Sequence, residues 1–239
     1  MIIIPARLKS TRFPNKVLAQ IDGIPMVIRT AQLAKQIDDV VVACDDDSIA
    51  HVCAHYKIAS ILTSNTHESG TDRIAECARS LKLKGSEIVI NLQADEPFLE
   101  VEVIKTLKIL MESKRGKTPF MGSCAKVITQ SEAEDPNLVK VVLNQNNEAI
   151  YFSRSKIPYN RDNLDSITYY GHLGIYAFSM ESLQEFCSLP KSTLESIEKL
   201  EQLRALENGK TIAIAKVESQ SFGIDTQEDL QRALKCFHQ

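Results

Sequence analysis

Four cationic side chains, Arg7, Lys9, Arg12 and Lys16, follow a short apolar run at the N-terminus and are interleaved with Ser10, Thr11 and Asn15. Arginine meets phosphate oxygens as a planar fork and lysine as a point charge, so residues 6–16 can serve as a polyphosphate cradle. The segment holds no glycine, which excludes a Walker A loop and a G-x-G-x-x-G dinucleotide fingerprint; on spacing alone a solvated basic loop is the competing reading. Asn91-Leu-Gln-Ala-Asp95-Glu-Pro97 places two carboxylates after another apolar run. Carboxylates at a strand end can hold Mg²⁺, which keeps several waters and takes further ligands from substrate phosphates. Asp95 is the metal candidate, and the alternative is a helix entry that favours acids at its amino end. His67-Glu-Ser-Gly-Thr-Asp-Arg73 opens a helix with Gly70 allowing close approach and Ser69 and Thr71 offering hydroxyls; it suits an anion or a base edge, or plain N-capping.

Other clusters carry less. Asp45, Asp46 and Asp47 at a helix start read as caps and macrodipole partners. His51 and His55 stand four residues apart but lack the glutamate of H-E-x-x-H. His172 lies in an apolar strand, where a structural histidine is the usual outcome, and Glu195, Glu198, Glu201, Gln202 and Arg204 read as a polar helix face.

The elements that must position these residues alternate. Strands are expected over 1–5, 39–44, 60–62 and 87–92, and helices over 25–36, 46–56, 70–82 and 100–114. This β-α-β-α order predicts a mostly parallel sheet covered on both faces. After Phe120, strands over 121–128, 139–143, 149–153 and 167–178 follow with few helices between them, which predicts an antiparallel lobe. Helices return over 179–188 and 194–208, then a strand over 211–217 and a last helix behind the Thr226-Gln-Glu-Asp229 capping pattern. The fold class is therefore α/β.

The chain's 239 residues fit one large α/β domain or a core with a smaller lobe. A formal charge of −3 leaves no general attraction to nucleic acid or anionic lipid, so any anion site must be local. Six cysteines without a C-x-x-C pair fit reduced thiols rather than a zinc knuckle. The apolar N-terminus turns basic after a few residues, the reverse of a signal peptide, and no run reaches membrane-span length; a cytoplasmic location is expected.

Read in order, Ile4-Pro-Ala-Arg7, Ser10-Thr-Arg12-x-Pro14-x-Lys16, Ser69-Gly-Thr-Asp-Arg73 and Gln93-Ala-Asp-Glu-Pro97 begin a longer set of motifs. Pro136-Asn-Leu-Val-Lys140, Tyr151-Phe-Ser-Arg154, His172-Leu-Gly-Ile-Tyr176, the 194–204 segment and Gly223-Ile-Asp225-Thr-Gln-Glu-Asp-Leu230 continue it across almost the entire chain. The set resembles the 3-deoxy-manno-octulosonate cytidylyltransferases, also called CMP-KDO synthetases. The resemblance implies one Rossmann-like nucleotidyltransferase domain over 1–239, with a smaller antiparallel lobe at about 120–190 that helps form the sugar site and a homodimer. It implies transfer of CMP from CTP to the anomeric 2-hydroxyl of KDO, with pyrophosphate released, for lipopolysaccharide synthesis.

Carried over by residue, the resemblance assigns Arg7 and Lys16 to the triphosphate, and Asp95 and Asp225 to Mg²⁺. Ser10, Ser69, Gly70 and Thr71 go to CTP. Arg12, Arg73, Gln93, Arg154, His172, Tyr176, Glu201 and Gln202 go to the sugar acid. Ala94, Gly171 and Thr193 depart from the family pattern of glycine, a basic residue and proline. The competing functions are the same transfer to an 8-amino KDO or a nonulosonate, a non-catalytic nucleotide-sugar sensor, and a nicotinamide-dependent enzyme; the missing glycine fingerprint opposes the last.

Overall fold

All five residues of β1 (Ile2–Ala6) are buried, as are all five of β4 (Val40–Cys44). A strand covered on both faces needs apolar residues at every position, because successive side chains point to opposite sides. Ile2, Ile4 and Ala6 enter one core with Val40, Val42 and Cys44, whereas Ile3, Val41 and Ala43 enter the other. Helices α1 (Met26–Ala34), α2 (Asp47–His55) and α4 (Val101–Glu112) fill the first core through Ile28, Ile49 and Ile104. The second is filled by α3 (Gly70–Ser80), α5 (Met180–Ser188) and α7 (Leu203–Glu207) through Ile74, Phe186 and Leu203. The computed structural model describes residues 1–10, 12–113, 119–162, 164 and 166–237, the Phe237 side chain excepted. Thr11, Lys114 and Asp165, on which a loop hydroxyl, a helix end and the end of a polar loop over 158–165 are expected from the sequence, lie outside the described residues.

The main sheet continues with β5 (Ala59–Leu62), β6 (Ile88–Asn91), β7 (Met121–Ile128), β10 (Tyr169–Ser179) and β11 (Ile212–Lys216), in the order β11-β7-β10-β6-β1-β4-β5. β1 runs parallel to both β4 and β6, and β10 runs antiparallel to β6 and β7. The order reverses between β1 and β6, and in open α/β sheets ligands bind beyond the strand carboxyl ends at such a point. β8 (Lys140–Leu143) pairs with β10 and with β9 (Ala149–Ser153), so the antiparallel strands are continuous with the parallel ones. No helix of the described residues is long and apolar enough to cross a membrane.

Two local features depart from the expected pattern. Gln20–Ile21 (β2) and Ile24–Pro25 (β3) form a hairpin closed by Asp22 and Gly23, both at positive φ, the Asp-Gly signature of a tight hairpin turn. The helix expected over 194–208 is two, α6 (Thr193–Glu198) and α7, because Lys199 takes a left-handed conformation between them. That break turns Glu195 inward. Its carboxylate accepts from Arg204 Nε at 2.9 Å and Nη2 at 2.6 Å, so the two form a buried ion pair rather than part of a solvated face. Removing one partner strands a buried charge. Arg204→Ala is expected to destabilise the fold by about 3–5 kcal/mol, read as a lower urea midpoint; a loss within about 0.5 kcal/mol, typical of surface sites, would contradict this.

Candidate active site

Because β1 and β6 are adjacent and parallel, the segments leaving their carboxyl ends emerge side by side. This brings residues 7–16 against 93–97. A third segment joins them through the backbone: the Ile224 amide donates to the Asp95 carbonyl at 3.0 Å. Ile224 is fully buried with Ile21, Met26, Leu230 and Ala233, so the β2–β3 hairpin and α8 (Gln227–Phe237) hold the following residue in place. Thr226 and Asp229 bond reciprocally, each side chain accepting from the other's amide, and start α8 as the capping pattern predicts. Asp225 is thereby fixed beside Asp95.

The Lys16 ammonium lies between them, 2.5 Å from Asp95 Oδ2 and 3.0 Å from Asp225 Oδ1. Arg12 Nη2 meets the other Asp225 oxygen at 3.0 Å. Burial works against the Lys16 charge, but the two carboxylates outweigh it and hold the ammonium above the ordinary lysine value. Burial likewise opposes the Asp225 charge, while Lys16 and Arg12 hold its carboxyl below the usual range. Burial and the Asp95 carboxylate push the neighbouring Glu96 up to about 8. Two carboxylates therefore already share one cation position. Among the described residues no group of three or more His, Cys, Asp or Glu could hold a metal ion. A divalent ion here would take its remaining oxygens from substrate and water, the donor set that suits Mg²⁺.

Two cavities meet at this cluster. The first, of about 290 Å³, is lined by Arg7, Ser10, Arg12, Lys16, Ser69, Gly70, Gln93, Asp95 and Asp225. Arg7 is exposed and forms no ion pair with a described residue. Ser69 caps α3, accepting from the Asp72 amide, and also lines the cavity. A Cβ on Gly70 would sit 3.2 Å from Pro5 Cγ, and the missing side chain lets α3 approach β1 closely. Ala94 has no positive φ, so the extra methyl requires no glycine conformation.

The second cavity, of about 790 Å³, shares Arg12 and Asp225 with the first and adds His172, Tyr176 and Gln202. Tyr176 Oη donates to Gln202 Oε1 at 3.0 Å, and burial pushes His172 down to about 3. Glu96, Lys126, Glu132 and Asp135 also line it. Glu96 is the second carboxylate of the 93–97 motif; the other three were not singled out from the sequence. Lys126 alone carried a signal, a lysine in a strand of small and apolar residues; its Nζ donates to the Ser221 carbonyl at 2.9 Å.

Four expected site residues are placed elsewhere or are already engaged. Thr71 is buried, its hydroxyl donating to Glu201 Oε2 at 2.7 Å, and neither residue lines either of these two cavities. Arg73 reaches the first cavity wall, but its guanidinium is spent on Thr63 Oγ1 at 2.8 Å and the Ser64 carbonyl at 3.1 Å. Arg154 donates to the Glu198 and Pro136 carbonyls and lines neither cavity. In this structure these four support the walls rather than face the open space.

A family model described as cytidylyltransferase matches residues 1–212. A 3-deoxy-manno-octulosonate cytidylyltransferase of Wolinella succinogenes is 56% identical over 99% of this chain and 99% of its own. The chain belongs to the 3-deoxy-manno-octulosonate cytidylyltransferases. A Helicobacter pylori member is 57% identical over 99% of this chain and 97% of its own. A solved CMP:2-keto-3-deoxy-manno-octonic acid synthetase complexed with CTP matches at TM-score 0.92 and 37% identity, covering 99% of this chain and 97% of that one. In this cytidylyltransferase Asp225 adds stability that is complete above the unfolded carboxylate pKa and is lost as pH falls through its depressed folded value. Lys16→Ala is expected to raise the Asp225 pKa towards the ordinary range in a ¹³C carboxyl titration. An unchanged value would contradict the shared-cation geometry.

Proposed function

We propose that the chain transfers CMP from CTP to the anomeric 2-hydroxyl of KDO, releasing pyrophosphate. The observation that carries the reading is the convergence of Lys16, Asp95 and Asp225 where the two cavities meet, the first lined by Arg7, Arg12 and Lys16 and the second by His172, Tyr176 and Gln202 together with charged groups. Attack on the α-phosphorus needs nucleophile and leaving group held in line and the charge on the departing pyrophosphate offset. No covalent enzyme intermediate is required.

The chain's residues divide this work. Arg7 and Lys16 receive triphosphate oxygens, with Ser10 beside them. Ser69 and Gly70, at the amino end of α3, supply amides and a hydroxyl to the nucleotide. Gln93, His172, Tyr176 and Gln202 present hydrogen-bonding groups to the sugar, and Arg12 stands at the junction where its carboxylate can pair. Asp95 and Asp225 would hold Mg²⁺; when bound, the ion lowers the pKa of a coordinated hydroxyl and neutralises phosphate charge. The Lys16 ammonium that now neutralises both acids is the group for which CTP's phosphates compete. A cytoplasmic homodimer is proposed with the activity, on the family resemblance.

Pyrophosphate release is expected only when CTP, KDO and Mg²⁺ are all supplied. Asp95→Ala and Asp225→Ala are expected to lower it by about 100-fold or more while circular dichroism stays unchanged. Full activity in either variant would remove the metal assignment, and faster turnover of an 8-amino KDO or a nonulosonate would reassign the sugar.

A further inference from the structure

β10 carries an irregularity at the edge of the second cavity. Leu173 pairs with Cys124 and Tyr176 with Ser123, so Gly174 and Ile175 are extra residues on the β10 side. Bulges re-aim side chains and loosen strand pairing beside functional sites. Here the bulge brings the Ser123 hydroxyl to 2.8 Å from the Ile175 carbonyl and 3.3 Å from the Leu173 carbonyl. The same oxygen lies 2.9 Å from His172 Nε2. Ser123 is fully buried, so water supplies no substitute partner.

The protons can be counted. A serine hydroxyl has one hydrogen, and a carbonyl can only accept. Two oxygens 2.8 Å apart need a hydrogen between them, so the Ser123 proton goes to Ile175 and its oxygen meets His172 as a lone pair. Nε2 must then be the donor. Burial keeps the imidazole neutral near neutral pH, and a neutral ring carries one N–H, so Nδ1 is a bare acceptor.

Nδ1 has no hydrogen-bond partner among the described residues. Among the described residues the buried side-chain polar atoms left unpaired are Tyr169 Oη, Glu201 Oε1 and Gln202 Nε2, a set without Nδ1. Nδ1 therefore keeps access to open space, and His172 lines the second cavity. Gln202 lines the same cavity with its oxygen taken by Tyr176, while its Nε2 is buried without a partner among the described residues.

We infer that Ser123 is a positioning residue that fixes the His172 tautomer, making Nδ1 the acceptor of a hydroxyl on the sugar acid. This rests on the proposed transfer for the identity of the ligand, but the tautomer stands on the fold alone. A hydroxyl can donate to the Nδ1 acceptor, whereas a ligand lacking that hydrogen leaves it unpaired.

The test uses the full chain labelled with ¹⁵N at histidine. Long-range ¹H–¹⁵N spectra of the substrate-free protein are expected to show His172 as the Nε2–H tautomer, and a protonated Nδ1 overturns the inference. Adding the sugar acid should move the Nδ1 resonance; a resonance that stays still at saturation also overturns it. Ser123→Ala should release the tautomer and raise the KM for sugar about tenfold, with the KM for CTP unchanged, and Ser123→Thr, which keeps the hydroxyl, should restore both. An alanine variant that retains tautomer and sugar KM, or that weakens sugar and CTP equally, contradicts the assignment. Should Ser123→Ala fail to fold, the wild-type tautomer and titration still decide. A protein with the Nε2–H tautomer but no CMP transfer would sink the proposed function alone.

Discussion

An ammonium wedged between two carboxylates drawn from distant parts of the chain is the constraint on which the site depends. Like charges this close repel unless a cation stands between them, so Asp95 and Asp225 can face one another only because Lys16 does. The backbone enforces the meeting. β1 and β6 deliver Lys16 and Asp95 to one edge of the sheet, and the Ile224 amide, bonded to the Asp95 carbonyl, pins Asp225 alongside. Both cavities open from that point.

The two cavities differ in the groups they offer a ligand. The first cavity keeps Arg7 exposed and without an ion pair among described residues, so an anion entering it meets one guanidinium not already neutralised. The second is lined by a neutral imidazole, a phenol and an amide alongside Glu96, Lys126, Glu132 and Asp135. Neutral polar groups whose partners are fixed within the fold select by hydrogen-bond direction, and they cost little desolvation when a polyhydroxy ring replaces water.

Much of this was legible in the sequence. Continuous apolar runs at 2–6 and 40–44 announced strands buried on both faces, and the motif at 93–97 followed such a run, so Asp95 at a strand carboxyl end was a local inference. Asp225 was not: its partner is set by a tertiary hydrogen bond from Ile224, which no spacing encodes, and the family resemblance alone pointed to it. Arg73 and Arg154 looked free because a sequence does not reveal which carbonyls surround a guanidinium. Lys199 broke the 194–208 helix through a left-handed conformation that lysine seldom adopts. Ser123 sat unnoticed in a strand, its role created by a bulge in the neighbouring strand.

The central claim is that Asp95 and Asp225 hold the reaction's divalent cation while Lys16 turns to phosphate. A crystal structure of the full chain with CTP, Mg²⁺ and an unreactive KDO analogue tests it most directly. The account predicts metal density bridging the two carboxylates, with the Lys16 ammonium on a triphosphate oxygen and the sugar in the second cavity. A cation bound away from both acids, with Lys16 still lodged between them and both substrates in place, would contradict it.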